Sequence, residues 1–197
     1  MSDGDAADEI MRATYCALCS HGYADLTMQD IADESTKSKA ALHYHYDSKH
    51  DLLCAFLEYL YERFVEQTSD IEGEDARERL LALVETVLEK RDEREEFETA
   101  LLEIRAQAPY EPRFRERLTK FETHLVGEFA GHLDAGIADG SFRADIDPEE
   151  TARFLVAALT GASTERVTVG RSVECTRGML REYVETHLVA DSQEQTT

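Results

Sequence analysis

The sequence predicts an all-α fold of about nine helices, and three observations lead there. Glycine and proline number only 10 and 3 in 197 residues, so little punctuates the chain. Apolar residues recur every three or four positions over most of the length. No strand-like alternation bounded by turn signals occurs. With 42% hydrophobic and 32% charged residues, the chain is expected to be soluble and globular. It is long enough to bury a core without staples.

The elements follow in order. Residues 8–20 predict a short helix with Ile10, Ala13, Ala17 and Leu18 on one side, and Gly22 suits its C-terminal cap. Thr27 with Asp30 makes a capping box, and Leu26 with Ile31 can staple across it. Ser38 starts a third helix, and Ser48 with Asp51 a fourth. From there the helices lengthen. Leu52, Phe56, Leu60 and Phe64 mark one; Leu80, Val84 and Leu88 the next; Phe97, Leu101 and Ile104 another, ending before Pro109. Phe114 to Leu133 predicts a long amphipathic helix ending near Gly140. Asp147-Pro148-Glu149-Glu150 is a strong start, with a capping Asp and Pro at the first helical position. That helix runs toward Gly170, and Leu180, Tyr183, Val184 and Leu188 mark the last one. The expected layout is three short helices and then six longer ones, with a disordered tail at 191–197 and no internal repeat.

Bulk chemistry narrows the function. No apolar run approaches the roughly 20 residues of a membrane span, and the acidic N-terminus is no secretory signal. Four cysteines without even spacing are expected to be reduced and intracellular. Cys16-x-x-Cys19 is read as a core or partly buried pair, so no metal site is expected, and no cofactor. No nucleophile elbow, phosphate loop or di-iron helix motif is present. The 42 acids face 21 bases, which are 16 Arg and only 5 Lys, for a net charge of −21. Such a surface is expected of a salt-adapted cytoplasmic protein; an acidic mesophilic protein is the alternative. Acidity by itself argues against a DNA partner. At molar salt, however, the Debye length is about 3 Å, and only charges near a contact matter.

Against that background, residues 29–53 gather three Lys, three His and two Tyr. Two short helices with a three-residue connection make helix-turn-helix geometry. Thr27–Glu34 would be the supporting helix, Ser35-Thr36-Lys37 the turn and Ser38–Tyr44 the recognition helix. Ile31, Ala32 and Leu42 supply the seam between them. Ala40 and Ala41 are small enough to approach base edges. Lys37, Lys39 and Lys49 bracket the helix where phosphates would pass. Taken alone, the same residues also read as a solvated face with core tyrosines.

The segment GYADLTMQDIADESTKSKAALHYHYDSKHDLL resembles the N-terminal signature of TetR-family transcriptional regulators. Gly22-Tyr23, Thr27, Ile31-Ala32, Ser38, Leu42, Tyr46 and Ser48-Lys49 match it. GSFRADIDPEETARFLVAAL, at 140–159, is similar to C-terminal domains of this family, including the betaine-regulator type. The chain departs at the turn, where Thr36 stands for the family's glycine and Lys37 for a hydrophobic residue. His43 replaces a phosphate-touching tyrosine.

The resemblance implies a dimeric repressor of a palindromic operator, released by a small-molecule effector. It places Thr27 on a phosphate and Ser38, Lys39, Ala40, Ala41 and Tyr44 in the groove. His43 and Lys49 would hold the DNA backbone. It divides the chain into a reader, 1–47, and a ligand-binding and dimerisation domain, 48–190. Phe64, Phe97, Leu101, Phe121 and Phe154 are candidate pocket lining, with Arg105 and His124 as polar anchors. Ala157, Ala158, Gly161 and Ala162, with Leu180, Tyr183 and Val184, are the candidate dimer interface. That dimer would set two recognition helices about 34 Å apart. Two other classes stay open at this point. One is a helical carrier or enzyme that uses the pocket without DNA; the other is a DNA-binding dimer without an effector.

Overall fold

The computed structural model describes residues 3–89 and 95–190. Nine α-helices lie among them: α1 (Asp3–Asp25), α2 (Met28–Asp33), α3 (Lys39–His45), α4 (Lys49–Ser69), α5 (Ala76–Leu88), α6 (Glu95–Gln107), α7 (Pro112–Asp139), α8 (Pro148–Val169) and α9 (Glu174–Tyr183). A π-helical turn, Val184–Leu188, extends α9. The expected tail at 191–197 lies outside the described residues.

The first helix departs from expectation. It has 23 residues, where a short element was predicted. Its start lies ahead of the apolar stripe from which the expected start at residue 8 was read. Gly22 (φ 68°, ψ 176°) breaks the helical course, in a region only glycine enters freely. The Tyr23 amide just beyond donates to Glu103 Oε2 on α6 at 2.6 Å.

The described residues pack into two compact units. One holds the chain up to Arg63 together with the stretch ending at Lys120; the rest forms the other. The boundary expected at residue 47 falls inside the first. In that unit Ile10, Leu18, Leu26, Ile31, Leu42, Phe56, Ile104 and Phe114 share one apolar core. Three polar rungs tie α7 to α4. Arg113 donates to Asp51 at 2.6 Å, Arg117 Nε to the Cys54 carbonyl at 2.9 Å, and Lys120 to Glu58 at 2.7 Å.

The second unit builds its core from Leu80, Val84, Phe129, Leu133, Leu155, Leu159 and Val184. Glu85 on α5 clamps α9 by pairing with the Arg177 guanidinium at 2.8 Å and accepting a hydrogen bond from Arg181 at 3.0 Å. Helix α8 begins as its sequence dictates: Asp147 accepts from the Glu150 amide at 2.9 Å, with Pro148 at the first position. The chain after α7 pairs with the chain after the π turn, through Arg143 N–H to the Leu188 carbonyl at 2.9 Å and Ala190 N–H to the Ser141 carbonyl at 3.0 Å. This brings the Phe142 ring down onto Gly136. A Cβ there would stand 2.2 Å from the ring and 3.0 Å from Ala76 Cβ. Gly136→Ala is therefore expected to destabilise the chain by about 1–3 kcal/mol of overpacking, read by urea unfolding.

His132 on α7 makes stability depend on pH. Its Nε2 is buried and lacks a hydrogen-bond partner among the described residues. Burial pushes its pKa below the usual imidazole value, Arg79 adds to that, and Glu128 opposes it. The folded chain thus holds the ring neutral at pH values where the unfolded chain protonates it. Stability is full above the ordinary pKa of about 6.5 and is lost as pH falls from there through the folded value. His132→Gln should flatten that part of a melting-midpoint profile between about pH 7 and pH 5.

Candidate nucleic-acid interface

The reader is assembled from its caps upward. Thr27 Oγ1 accepts from the Asp30 amide at 3.2 Å, and Asp30 Oδ2 accepts from the Thr27 amide at 2.7 Å, so the capping box is complete. Ser38 Oγ accepts from the Ala41 amide at 3.2 Å and starts α3. Ile31, Ala32 and Leu42 are buried and form the expected seam. Leu42 is the only buried residue of α3. The remaining surface of α3 therefore faces water: Lys39, Ala40, His43, Tyr44 and His45 are exposed, with Ala41 half-buried. Tyr44 is 86% exposed, an unusual state for so large a ring. The His45 ring meets it edge-on at 5.1 Å and helps hold it outward.

Three expected contacts are occupied within the protein. Thr27 is exposed, but its hydroxyl donates to Asp30 Oδ2 at 2.7 Å, so a phosphate there would sit beside a carboxylate. Lys37 Nζ lies 3.6 Å from Glu9 Oε2. Lys49 is engaged as well. Its ammonium donates to the Tyr23 carbonyl at 3.0 Å and lies 5.0 Å over the Tyr23 ring. Burial pushes its pKa down, while Asp25 and Asp30 pull the other way. Instead of reaching out to a DNA backbone, Lys49 ties the start of α4 to the end of α1. Lys49→Ala is expected to leave that carbonyl unpaired and cost about 1–3 kcal/mol of stability, measured by denaturant unfolding.

The turn is also reshaped. No described residue other than glycine has positive φ, so Thr36 avoids the conformation that its β-branch disfavours. Its amide instead donates to Glu9 Oε1 at 2.8 Å and its hydroxyl to the same oxygen at 2.5 Å.

The candidate ligand residues do not form one group. Phe64, Phe121 and His124 meet in the second unit. Phe64 lies 5.5 Å from Phe121 and 5.9 Å from His124, whose Nε2 is 2.7 Å from Thr68 Oγ1 and Nδ1 3.8 Å from Glu128. Phe97 belongs to the core of the first unit, 4.7 Å from Tyr15 and 6.1 Å from Phe56, with Leu101 packed beside that core. Arg105 is exposed. Phe154 is also exposed, and its ring lies 5.2 Å from Tyr183, so it belongs to the α8–α9 face and lines no interior pocket.

The candidate dimer residues divide as well. Ala157 and Gly161 are exposed, Ala158 and Tyr183 half-buried. Ala162, Leu180 and Val184 are buried within the unit, because α8 and α9 each carry apolar residues on more than one side. Sequence reading missed the exposed Cys175, Gly178 and Met179 on α9. Cys16 also proves exposed, with Cys19 half-buried, so the pair is nearer the surface than expected.

A capped supporting helix, a tight turn and a second helix with an outward polar face define a helix-turn-helix DNA-binding protein. The family description "Bacterial regulatory proteins, tetR family" matches residues 10–56, and "BetI-type transcriptional repressor, C-terminal" matches residues 76–189. The chain belongs to the TetR family and is a DNA-binding transcriptional regulator, not an enzyme. It is 31% identical to the HTH-type transcriptional repressor KstR2 of Rhodococcus jostii, over 75% of this chain and 72% of that one. A TetR transcription regulator from Haloarcula marismortui is 43% identical, with a TM-score of 0.88 over 94% of this chain and 99% of that chain. A transcriptional regulator from Saccharomonospora viridis, in complex with choline, is 27% identical, with a TM-score of 0.80 over 96% and 100% of the two chains. Among the described residues no helix is long and apolar enough to cross a membrane.

Proposed function

We propose that this regulator is a dimeric repressor that leaves a palindromic operator when a small molecule binds in its second unit. The observation that carries this reading is the outward face of α3, with Lys39 exposed and Tyr44 at 86% exposure on a helix anchored through Leu42 alone. Ser38, Lys39, Ala40, Ala41 and Tyr44 would read base edges in the major groove, and His43 would hold a phosphate. The stripe Phe154, Ala157 and Gly161 on α8 would pack against a second copy, with Tyr183 of α9 beside Phe154. The reader of 1–47 is thereby paired across a two-fold axis through the part after residue 48.

The effector is proposed to bind near Phe64, Phe121 and His124, where rings and the Glu128 carboxylate come together. Choline, held by the Saccharomonospora relative, is the first compound to try, because aromatic faces and a carboxylate suit a quaternary ammonium. A true effector raises the melting midpoint by mass action. The excess of 42 acids over 21 bases supports work in a salt-rich cytoplasm, and the likeness to the Haloarcula protein points the same way.

The test is selection of duplexes from a random-sequence pool, followed by gel shifts from about 0.2 M to about 3 M KCl. The expected result is an inverted repeat with half-sites about one helical turn apart. Selection of a single half-site, or of no preferred sequence at any salt, would count against it.

A further inference from the structure

The turn between α2 and α3 lacks the usual glycine and is held from outside the motif. Its Ser35 amide donates to the Ala32 carbonyl at 3.1 Å, and its Lys37 amide to Ser35 Oγ at 3.0 Å. Both partners are local. The Thr36 amide is different, because its acceptor is Glu9 Oε1, 27 positions earlier on α1. The same oxygen takes the Thr36 hydroxyl at 2.5 Å, and the other carboxylate oxygen stands 3.6 Å from Lys37 Nζ. Two hydrogen-bond donors and one cation from two consecutive turn residues thus converge on one carboxylate.

We infer that Glu9 is a positioning residue of the DNA reader: its carboxylate fixes the Thr36-Lys37 turn, and so sets the angle at which α3 is presented to DNA.

Two further observations support this. Leu42 is the sole buried residue of α3, so the helix has little core footing of its own and its direction depends on its ends. The Thr36 hydrogen bonds, foremost the hydroxyl's, hold the Glu9 carboxyl below the usual carboxylate range, with Lys37 contributing, so the clasp is ionised at neutral pH. A glycine turn gains its shape from local backbone freedom. Here the shape comes from a side chain on another helix, and Lys37 is withdrawn from phosphates to secure it.

The inference rests on the DNA-binding function of the chain, so a duplex is first selected with the unsubstituted full-length protein. A pool that yields no duplex overturns that function, and this proposal with it. Given a duplex, Glu9→Ala is compared in two backgrounds: the natural turn, and one carrying Thr36→Gly with Lys37→Val. Affinity is read by fluorescence anisotropy well below each melting midpoint, with helix content checked by circular dichroism. In the natural turn, Glu9→Ala should weaken binding on the order of tenfold. The released Lys37 should also steepen the slope of log K against log [salt] by about 2 per dimer. In the glycine turn, Glu9→Ala should change neither quantity. Equal losses in both backgrounds, or no loss in the natural turn, would overturn the proposal. Should Glu9→Ala not fold, Glu9→Gln keeps an acceptor for Thr36 but loses the charge. A loss cured by the glycine turn then supports the inference, and unchanged affinity overturns it.

Discussion

Tyr44→Ala is expected to lower affinity for the selected operator on the order of a hundredfold and to leave the melting midpoint where it was. Both halves of this result come from one fact. The ring is 86% exposed, so the free protein gains almost nothing from it. Its ring meets that of His45, its neighbour in sequence, and it is not a member of the first unit's apolar core. Bound to DNA, the same ring would bury most of its area, and rings buried at an interface centre are worth about 1–3 kcal/mol each. Two copies in a dimer double the loss. Lys39→Ala behaves differently. An ammonium in the groove donates to guanine O6 and N7, so its removal should relax the preference at one position of each half-site. Anisotropy titrations with single-position operator variants distinguish the two. If Tyr44→Ala binds like the unsubstituted protein, or if Lys39→Ala weakens every duplex equally, the assignment of this face is wrong.

The internal engagement of Lys37 and Lys49 changes how this reader should respond to salt. Three free lysines per protomer would release counterions from about six phosphates per dimer and give a slope of log K against log [salt] near −5. With Lys37 on Glu9 and Lys49 on Tyr23, Lys39 is the one lysine of the three whose charge is left to displace counterions in the groove, and the slope falls to about −2. For a protein of net charge −21 this arrangement is coherent. Its recognition leans on ring burial and base-edge contacts, which molar salt does not screen.

What the sequence revealed, and what it hid, follows the range of each interaction. The capping box at Thr27 and Asp30, the Ser38 cap and the Asp147-Pro148 start were all legible, because each partner lies within three residues. So was the Ile31–Leu42 seam, since apolar periodicity fixes which side of a short helix turns inward. The partners of Thr36 and Lys49 were not legible: they lie 27 and 26 positions away, and the apolar stripe of α1 says which side turns inward but not which residue of another helix each remaining side chain meets. The candidate pocket scattered for a related reason. Phe97 and Phe64 look alike in sequence, yet packing sends one to the first unit's core and the other to the second. On α8 periodicity was ambiguous by nature. Leu155, Val156, Leu159 and Ala162 point into the core while Phe154, Ala157 and Gly161 point out, and both sets are apolar or small.

That outward set makes Gly161→Arg the sharpest probe of assembly. A Cβ at Gly161 meets nothing within 4 Å, so a longer side chain costs the single chain no packing. Replacing glycine inside a helix even adds intrinsic helicity, by up to about 1 kcal/mol. Any defect in Gly161→Arg must therefore come from what lies against α8 in the assembled protein. If two copies pack Phe154, Ala157 and Gly161 together, two guanidinium groups are forced into an apolar contact and repel each other there. The variant should then run as a folded monomer in analytical ultracentrifugation, with the circular dichroism of the unsubstituted chain. Its operator affinity should fall by about 10²–10⁴, because the second half-site is no longer delivered at high effective concentration. Binding to a single half-site should be untouched, since α3 itself is unaltered. A Gly161→Arg protein that stays dimeric, or that keeps full operator affinity as a monomer, would remove the α8 stripe as the interface and would require the two readers to be paired by another surface.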